Sequence, residues 1–540
     1  MPKSWVVTFY VSVITISFAV PSANAIPAFA RQYGTSCATC HVDFPKLNDF
    51  GKAFKDAGFK FPKDDETFLK IPPVMLGSPA QKELWPHTIW PGQIPGAIPI
   101  GLRYNQFFEV TSANRNNFNA QLAPGTVGSF IPQTDFQTGF FSIFTAGNFG
   151  DDIAFWVDDD ISVSGANANG GLGDAYLRFV NVSRFFKLPT DSLTLKVGQF
   201  ELDLPFTQAR AYDISPYDIY SQANIGTQNP AFAQQLVNNG YTLAGPGKGI
   251  EISGGHHYGG YRYALAIIDQ NTSGNSPDAP NVPSATGGNS GGVGFNSDAN
   301  FKDVYARLAY RANLERDPAS RHDIQAAGKN GPQTHNYITL GTYYLYGRSV
   351  QRLPGFNSVA ASAADTVLTA REPFYRLGGD FDFNLHDKFD LYGLYMYGHD
   401  NSLAPFTPAG FGGPTEFVSA SPANFSGGFI QADYMIYPWM MAIMRWDRVN
   451  SRADLLNGYT AGTAGAINTP FYSPFSSVRN RFTPGMQFLI HANIKASFEY
   501  QIRPQQVVYN PAAISPSGIP AQLVSPFRTN TATAALEFVY

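Results

Sequence analysis

The sequence predicts a mainly β fold: a transmembrane antiparallel β-barrel of about 16 strands, preceded by a small helical module. Three observations predict it. Charged residues are only 14% of the 540 while aromatics reach 14%, and 51 Gly with 39 Pro disfavour long helices and suit strands joined by turns. From Ile98 onward apolar and polar residues alternate with period two. Tight reversals also alternate with long Gly/Ser/Asn/Pro-rich connections, the rhythm of an outer-membrane barrel with short periplasmic turns and long external loops. The formal charge of −4, from 37 basic and 41 acidic side chains, leaves no cationic surface for nucleic acid. A mean hydropathy of −0.16 excludes a polytopic helical membrane protein, which needs about 20 apolar residues per span. A barrel stays near neutral because its strands alternate.

Residues 1–25 read as an export signal. Lys3 supplies the positive start, Trp5 to Val20 the apolar stretch, and Ala23-Asn24-Ala25 the small-x-small cleavage pattern. The alternative of a membrane anchor is disfavoured by Thr8, Ser12, Thr15 and Ser17, which interrupt the run. The mature chain is expected to begin at Ile26 and to be extracytoplasmic.

Residues 26–70 form the expected helical module. Its only two cysteines lie in Cys37-Ala38-Thr39-Cys40-His41, the attachment pattern for one covalently bound haem c. Two thiolates add across the haem vinyl groups, and the adjacent imidazole becomes the proximal iron ligand. A redox dithiol or half a zinc site would share the CxxC spacing. The second ligand pair of a zinc site is absent, as is the βαβ unit of a thioredoxin-like motif. Pro45 to Gly58 then reads as one helix, with Leu47, Phe50, Phe54 and Ala57 on a face that would cover the haem. Residues 71–97 form a Pro-rich linker. Met75 is the first candidate for the distal iron ligand, His87 the second, and an open water-bound position the third.

Residues 98–540 form the barrel. The clearest strand sets Ile494, Ala496, Phe498, Tyr500 and Ile502 against Lys495, Ser497, Glu499, Gln501 and Arg503. A soluble sandwich alternates too, so loop rhythm is the stronger discriminator. Tight reversals are expected at 257–260, 384–387, 437–438 and 491–492. Long connections are expected near 204–247, 271–299, 348–370, 401–423, 451–475 and 504–525. Residues 313–334 are long where a short turn is expected. An even strand count places both barrel ends in the periplasm, beside the module. Ala532, Ala534, Leu536, Phe538 and Tyr540 alternate up to a final aromatic, as the last strand of an outer-membrane barrel does.

Pro27-Ala28-Phe29-Ala30-Arg31-Gln32-Tyr33-Gly34, the haem motif, and Phe44-Pro45-Lys46-Leu47-Asn48-Asp49-Phe50-Gly51 with Phe54 resemble the head of fused cytochrome-porins. The resemblance is specific over residues 27–59 and architectural over the barrel. It implies an outer-membrane monohaem cytochrome, with haem on Cys37 and Cys40 and His41 as proximal ligand, similar to proteins that oxidise extracellular Fe(II).

The expected function is electron movement between an extracellular donor, with Fe(II) or another reduced metal as candidate, and a periplasmic carrier such as a soluble cytochrome c. The haem would stand at the periplasmic side or inside the lumen of a barrel in the bacterial outer membrane. One alternative is a diffusion porin with a haem plug or sensor head, and another is a haem enzyme such as a peroxidase. Asp158, Asp159 and Asp160 could attract cations, although solvated loop charge is the favoured reading. The His256-His257 pair reads as polar turn or lumen residues rather than a metal site.

Overall fold

The computed structural model describes residues 28–62, 65–86, 93–97, 99–111, 134–161, 171–207, 213–221, 225–226, 238–239, 243, 246–269, 302–314, 336–353, 368–406, 416–451, 478–502 and 530–540. The export signal and His87 lie outside them. Sixteen strands close into one antiparallel barrel. They are β1 Ile100–Thr111, β2 Thr134–Phe149, β3 Ile153–Ile161, β4 Gly171–Phe179, β5 Thr194–Phe200, β6 Gly247–His256, β7 Gly259–Asp269 and β8 Asp303–Asn313. Then follow β9 Tyr337–Leu353, β10 Leu368–Leu385, β11 Phe389–Phe406, β12 Glu416–Tyr437, β13 Met440–Ser451, β14 Val478–His491, β15 Ile494–Gln501 and β16 Thr531–Val539. The last strand closes on the first, from Thr531 opposite Thr111 to Val539 opposite Arg103. Two backbone hydrogen bonds of 2.8 Å between Leu102 and Tyr540 extend that seam. Full closure satisfies every strand edge within the chain, a requirement in lipid.

Polarity is inverted relative to a soluble barrel. On β15 the polar row is buried, with Lys495 4%, Ser497 5% and Glu499 5% exposed, whereas Phe498 and Tyr500 are 50% and 44% exposed. On β8 Asp303, Arg307 and Arg311 face in, and Val304, Leu308 and Tyr310 face out. In water the apolar row would turn inward to leave solvent. An apolar exterior around a charged interior is the surface of a barrel embedded in lipid.

The tight reversals fall as expected at residues 257–258, 386–388, 438–439 and 492–493, and another occupies 150–152. β8 ends and β9 begins together on the same side, where the Leu314 N–H donates to Asn336 O at 2.7 Å, and the rest of the expected 313–334 segment lies outside the described residues. Two expected loops need correction. β9 and β10 pair out to Leu353 opposite Leu368, and β11 and β12 out to Phe406 opposite Glu416, so 348–353, 368–370, 401–406 and 416–423 are strand, and the remainder of both loops lies outside the described residues. Ladder hydrogen bonds belong to the backbone, and a hairpin stem can pair without an apolar row.

The head holds α1 Ala28–Tyr33, a 3₁₀ turn Cys37–Thr39, α2 Asp49–Asp56 and α3 Asp65–Phe68, with α4 Pro79–Leu84 in the linker. The expected helix from Pro45 is shorter. Lys46–Leu47 pairs with His41–Asp43 in a two-stranded ribbon, and Asn48 caps α2 by accepting from the Gly51 N–H at 2.8 Å. Gly58 does end the helix, in the left-handed region at φ +76°.

Candidate functional site

The Cys37–His41 segment is a tight turn pinned to the start of α2. Thr39 N–H donates to Ser36 O and Cys40 N–H to Cys37 O, each at 3.1 Å, so both cysteines project from one 3₁₀ turn. Asn48, fully buried, staples this turn. Its Nδ2 donates to Ala38 O at 3.2 Å and Thr39 O at 3.1 Å, and its backbone N–H donates to Cys40 O at 3.0 Å. Gly51 permits that approach, since a Cβ there would lie 2.1 Å from Cys40 O. Sequence reasoning missed Asn48. The Asn two residues before the first apolar helical position was its only signal.

The thiols of Cys37 and Cys40 are unpaired and half-buried. Burial raises both, Cys40 to about 12, so they are protonated at neutral pH. Burial lowers His41 to about 4, which keeps its imidazole neutral with a lone pair available. Its Nδ1 is buried without a hydrogen-bond partner. Beside the turn stands an aromatic wall in which Phe29 stacks on Phe59 at 5.2 Å and Tyr33 on Phe61 at 4.4 Å, with Phe50 and Phe54 edge-on. Cys40 packs against this cluster. Two free thiols on one turn, a neutral imidazole and an apolar wall fit a covalently held haem. Met75 stands on a separate two-residue ribbon, opposite Gln93, and is 39% exposed.

Inward-facing residues around the barrel rim hold the head. Arg311 on β8 grips Asp49 with two hydrogen bonds, Nη1 to Oδ1 at 2.8 Å and Nη2 to Oδ2 at 2.7 Å. Its guanidinium lies 3.6 Å from the Tyr337 ring centroid. Arg178 on β4 donates to Lys55 O at 2.7 Å, and Lys495 on β15 to Phe44 O at 3.0 Å. Lys46 pairs with Asp390 on β11, and Arg31 donates to Ile100 O on β1 at 2.7 Å. Phe59 meets Trp156 on β3, ring centroids 5.8 Å apart. Contacts from so many points of the circle seat the head within the lumen at the end where the tight reversals lie.

His257, in the reversal after β6, ties the head to the wall. Its Nδ1 is 2.6 Å from Asp56 Oδ1 and its backbone N–H donates to Asp56 Oδ2 at 3.1 Å. Burial alone would raise Asp56, but His257, Arg262 and Arg178 outweigh it and hold the carboxyl well below the usual range. His257 Nε2 also lies 3.5 Å from Asp203, which Arg262 binds at 2.8 Å. Among the described residues no His/Cys/Asp/Glu group has metal-holding geometry.

Above the head, the chain leaving β5 folds into the lumen. Leu202, Leu204, Tyr217 and Ile219 are buried against inward Tyr305, Tyr343, Leu345 and Phe429. Arg445 on β13 binds Asp213 at 2.8 Å and Ser215 O at 3.0 Å, while Arg481 on β14 donates to Pro216 O at 2.5 Å. Tyr217 stacks on Phe429 at 3.9 Å. The lumen is therefore filled at two levels. Asp158 turns out to be structural, accepting from the Asp174 N–H, and Asp159 is exposed at the far end of β3.

No protein-family model matches the chain, and no curated protein does. Solved structures similar in outline include the outer membrane channel DcaP of Acinetobacter baumannii, at 10% identity and TM-score 0.41, covering 82% of this chain and 96% of that one. An anion-selective porin from Comamonas acidovorans matches at 8% identity and TM-score 0.42, covering 82% and 98%. OmpT of Vibrio cholerae matches at 9% identity and TM-score 0.40, again covering 82% and 98%.

Proposed function

We propose that the chain is an outer-membrane channel protein of the porin kind, whose lumen is plugged at the periplasmic mouth by its own head, and that the head carries one haem c. The observation that carries the plug is the buried Asp49–Arg311 grip, made between the head and the inner wall. Asp49 and Arg311 anchor the plug, His257 and Arg178 orient its helix, and the Phe29–Phe61 aromatic wall keeps water from the cysteine turn. Cys37 and Cys40 would hold the haem and His41 would face its iron. When bound, the group would supply a reversible one-electron couple. Planar-bilayer recording of the full chain tests this reading. Low conductance that rises when the Asp49–Arg311 grip is removed supports it, and wide constitutive pores would refute it.

The Cys37–His41 motif inside a plugged lumen favours a second reading, in which the barrel passes electrons rather than solutes between an extracellular donor, Fe(II) among the candidates, and a soluble periplasmic cytochrome c. Filling at two levels would hinder solute, while a haem on the head would bring a redox group into the insulating layer. Haem staining of isolated outer membranes, followed by visible spectroscopy after Fe(II) addition, separates the two. Stained protein whose haem Fe(II) never reduces would leave the plugged channel and remove the iron conduit. Loss of stain in Cys37→Ser is expected under either.

A further inference from the structure

The barrel closes where β16 meets β1, and this seam lies among short strands. β15 and β16 have 8 and 9 residues, whereas β9 to β12 have 17 to 22. The seam also joins opposite ends of the barrel sequence. Arg103 and Glu537, which pair across it, are 434 positions apart, so bringing the two strands together costs more loop-closure entropy than forming a hairpin does. A short ladder between distant segments is where a closed sheet opens most readily.

Two side chains of the head reach across this seam. At the rim, Arg31 on α1 donates from Nη2 to the carbonyl of Ile100, the first residue of β1, at 2.7 Å. Its guanidinium also lies 5.5 Å from the ring centroid of Tyr540, the residue after β16. Deeper in the lumen, Phe44 meets three consecutive strands. Its ring centroid is 5.5 Å from the guanidinium of Arg103 on β1 and 5.3 Å from Nζ of Lys495 on β15. Its carbonyl accepts from the same Lys495 Nζ at 3.0 Å. Both cations pair with Glu537 on β16, Lys495 at 3.2 Å. Lys495 and Glu537 are buried. Two cations and one carboxylate leave one net positive charge here, and the ring face and carbonyl of Phe44 are suited to stabilise it.

We propose that the head is a clasp on the closing seam of the barrel, with Arg31 and Phe44 holding β16 against β1. Blocking the lumen does not require this, since the Asp49–Arg311 grip on β8 would seat a plug without touching the seam. The clasp makes seating of the head and locking of the barrel one event. It stands whether or not the head carries haem.

Hydrogen–deuterium exchange of the full chain in detergent micelles, read by mass spectrometry, tests it. Phe44→Leu keeps an apolar side chain but loses the ring face, and Arg31→Gln loses the cation at the rim. The clasp predicts that peptides covering 100–111 and 531–540 exchange about tenfold faster in Phe44→Leu, from the loss of two cation–π contacts. Exchange across the β8–β9 ladder, 303–313 with 337–346, should keep its wild-type rate. Arg31→Gln should quicken the same seam peptides by a smaller factor, and the double variant by more than either. Should Phe44→Leu not assemble, Arg31→Gln alone carries the comparison of the two ladders. Wild-type seam exchange in the variants overturns the proposal. So does quickening confined to head peptides 28–58, which would make both contacts a matter of head packing, and so does equal quickening of both ladders, which would mean general loosening of the wall.

Discussion

Replacing Arg311 by Ala should loosen the plug without unfolding the wall. The pair it breaks is buried on both sides, bidentate at 2.8 and 2.7 Å, and backed by the Tyr337 ring 3.6 Å from the guanidinium. Removing one partner of a buried ion pair costs about 3 to 5 kcal/mol, because the other charge stays desolvated. Lys52 remains 3.7 Å from Asp49 and offsets part of that, so the low end applies. A loss of about 3 kcal/mol raises the undocked fraction about a hundredfold. Arg311 sits at the periplasmic end of β8, where its loss leaves the strand ladder intact, so the heat-modifiable gel mobility of a folded barrel should persist. Single-channel recording should show openings about a hundredfold more frequent in the variant, and limited proteolysis should reach the head sooner. Arg311→Lys keeps the charge but loses the fork, and should fall between. Wild-type conductance and wild-type protection in Arg311→Ala would refute the claim that this grip holds the plug.

Asn48→Ala removes an N-cap and two donors to the cysteine turn, a cost of about 2 to 3 kcal/mol to the head. Haem staining per folded barrel should fall, while Asn48→Ser, which keeps the cap, should retain more. Asp56 is held low in the folded chain, so its contribution is complete above the ordinary aspartate value of about 4 and is lost only as pH falls through the depressed one. Protease protection of the head should stay flat from pH 7 to about 4, and release near pH 6 would contradict this sign. Met75→Leu should leave the visible spectrum of the haem-loaded protein unchanged, since the structure puts Met75 on the exposed ribbon; a change to high spin would return it to the iron.

The barrel was legible because lipid imposes a simple rule on every strand. Alternation such as Lys495 against Phe498 is readable strand by strand, and the tight reversals at 257–258, 386–388, 438–439 and 492–493 carry turn residues between them. What was not legible was local or long-range. α1, α3 and α4 have six residues or fewer, too short to print a helical period. The true start of α2 was hidden because Pro45 reads as a helix opener, and the pairing of His41 with Leu47 is what moves the start past it to the Asn48 cap. The plug contacts join residues up to 451 positions apart, as in Lys495 with Phe44, and nothing local marks Asp49 as the partner of Arg311. The cysteine turn was legible as chemistry, whereas its staple at Asn48 lies eleven residues from Cys37 and needed the fold.

The same inversion that makes the wall suit lipid dictates how a plug must be held. The inward apolar residues Tyr305, Tyr343, Leu345 and Phe429 are taken by the chain leaving β5, and the head finds its apolar seat at Ala146, Ala154 and Trp156. The rest of the grip has to be hydrogen bonds and charge. Such a grip would be fragile if it were exposed, because salt screens surface charges over about 8 Å at physiological strength. The pair Lys60–Asp151 is of that kind: Asp151 is 92% exposed, and the contact is worth at most about 1 kcal/mol. Asp49–Arg311 and Asp56–His257 face no bulk water on the carboxylate side, so salt reaches them weakly. The plug should therefore stay seated in molar salt, and conductance should track bulk conductivity as salt rises. A jump beyond that would mean surface pairs, not the buried ones, hold the head.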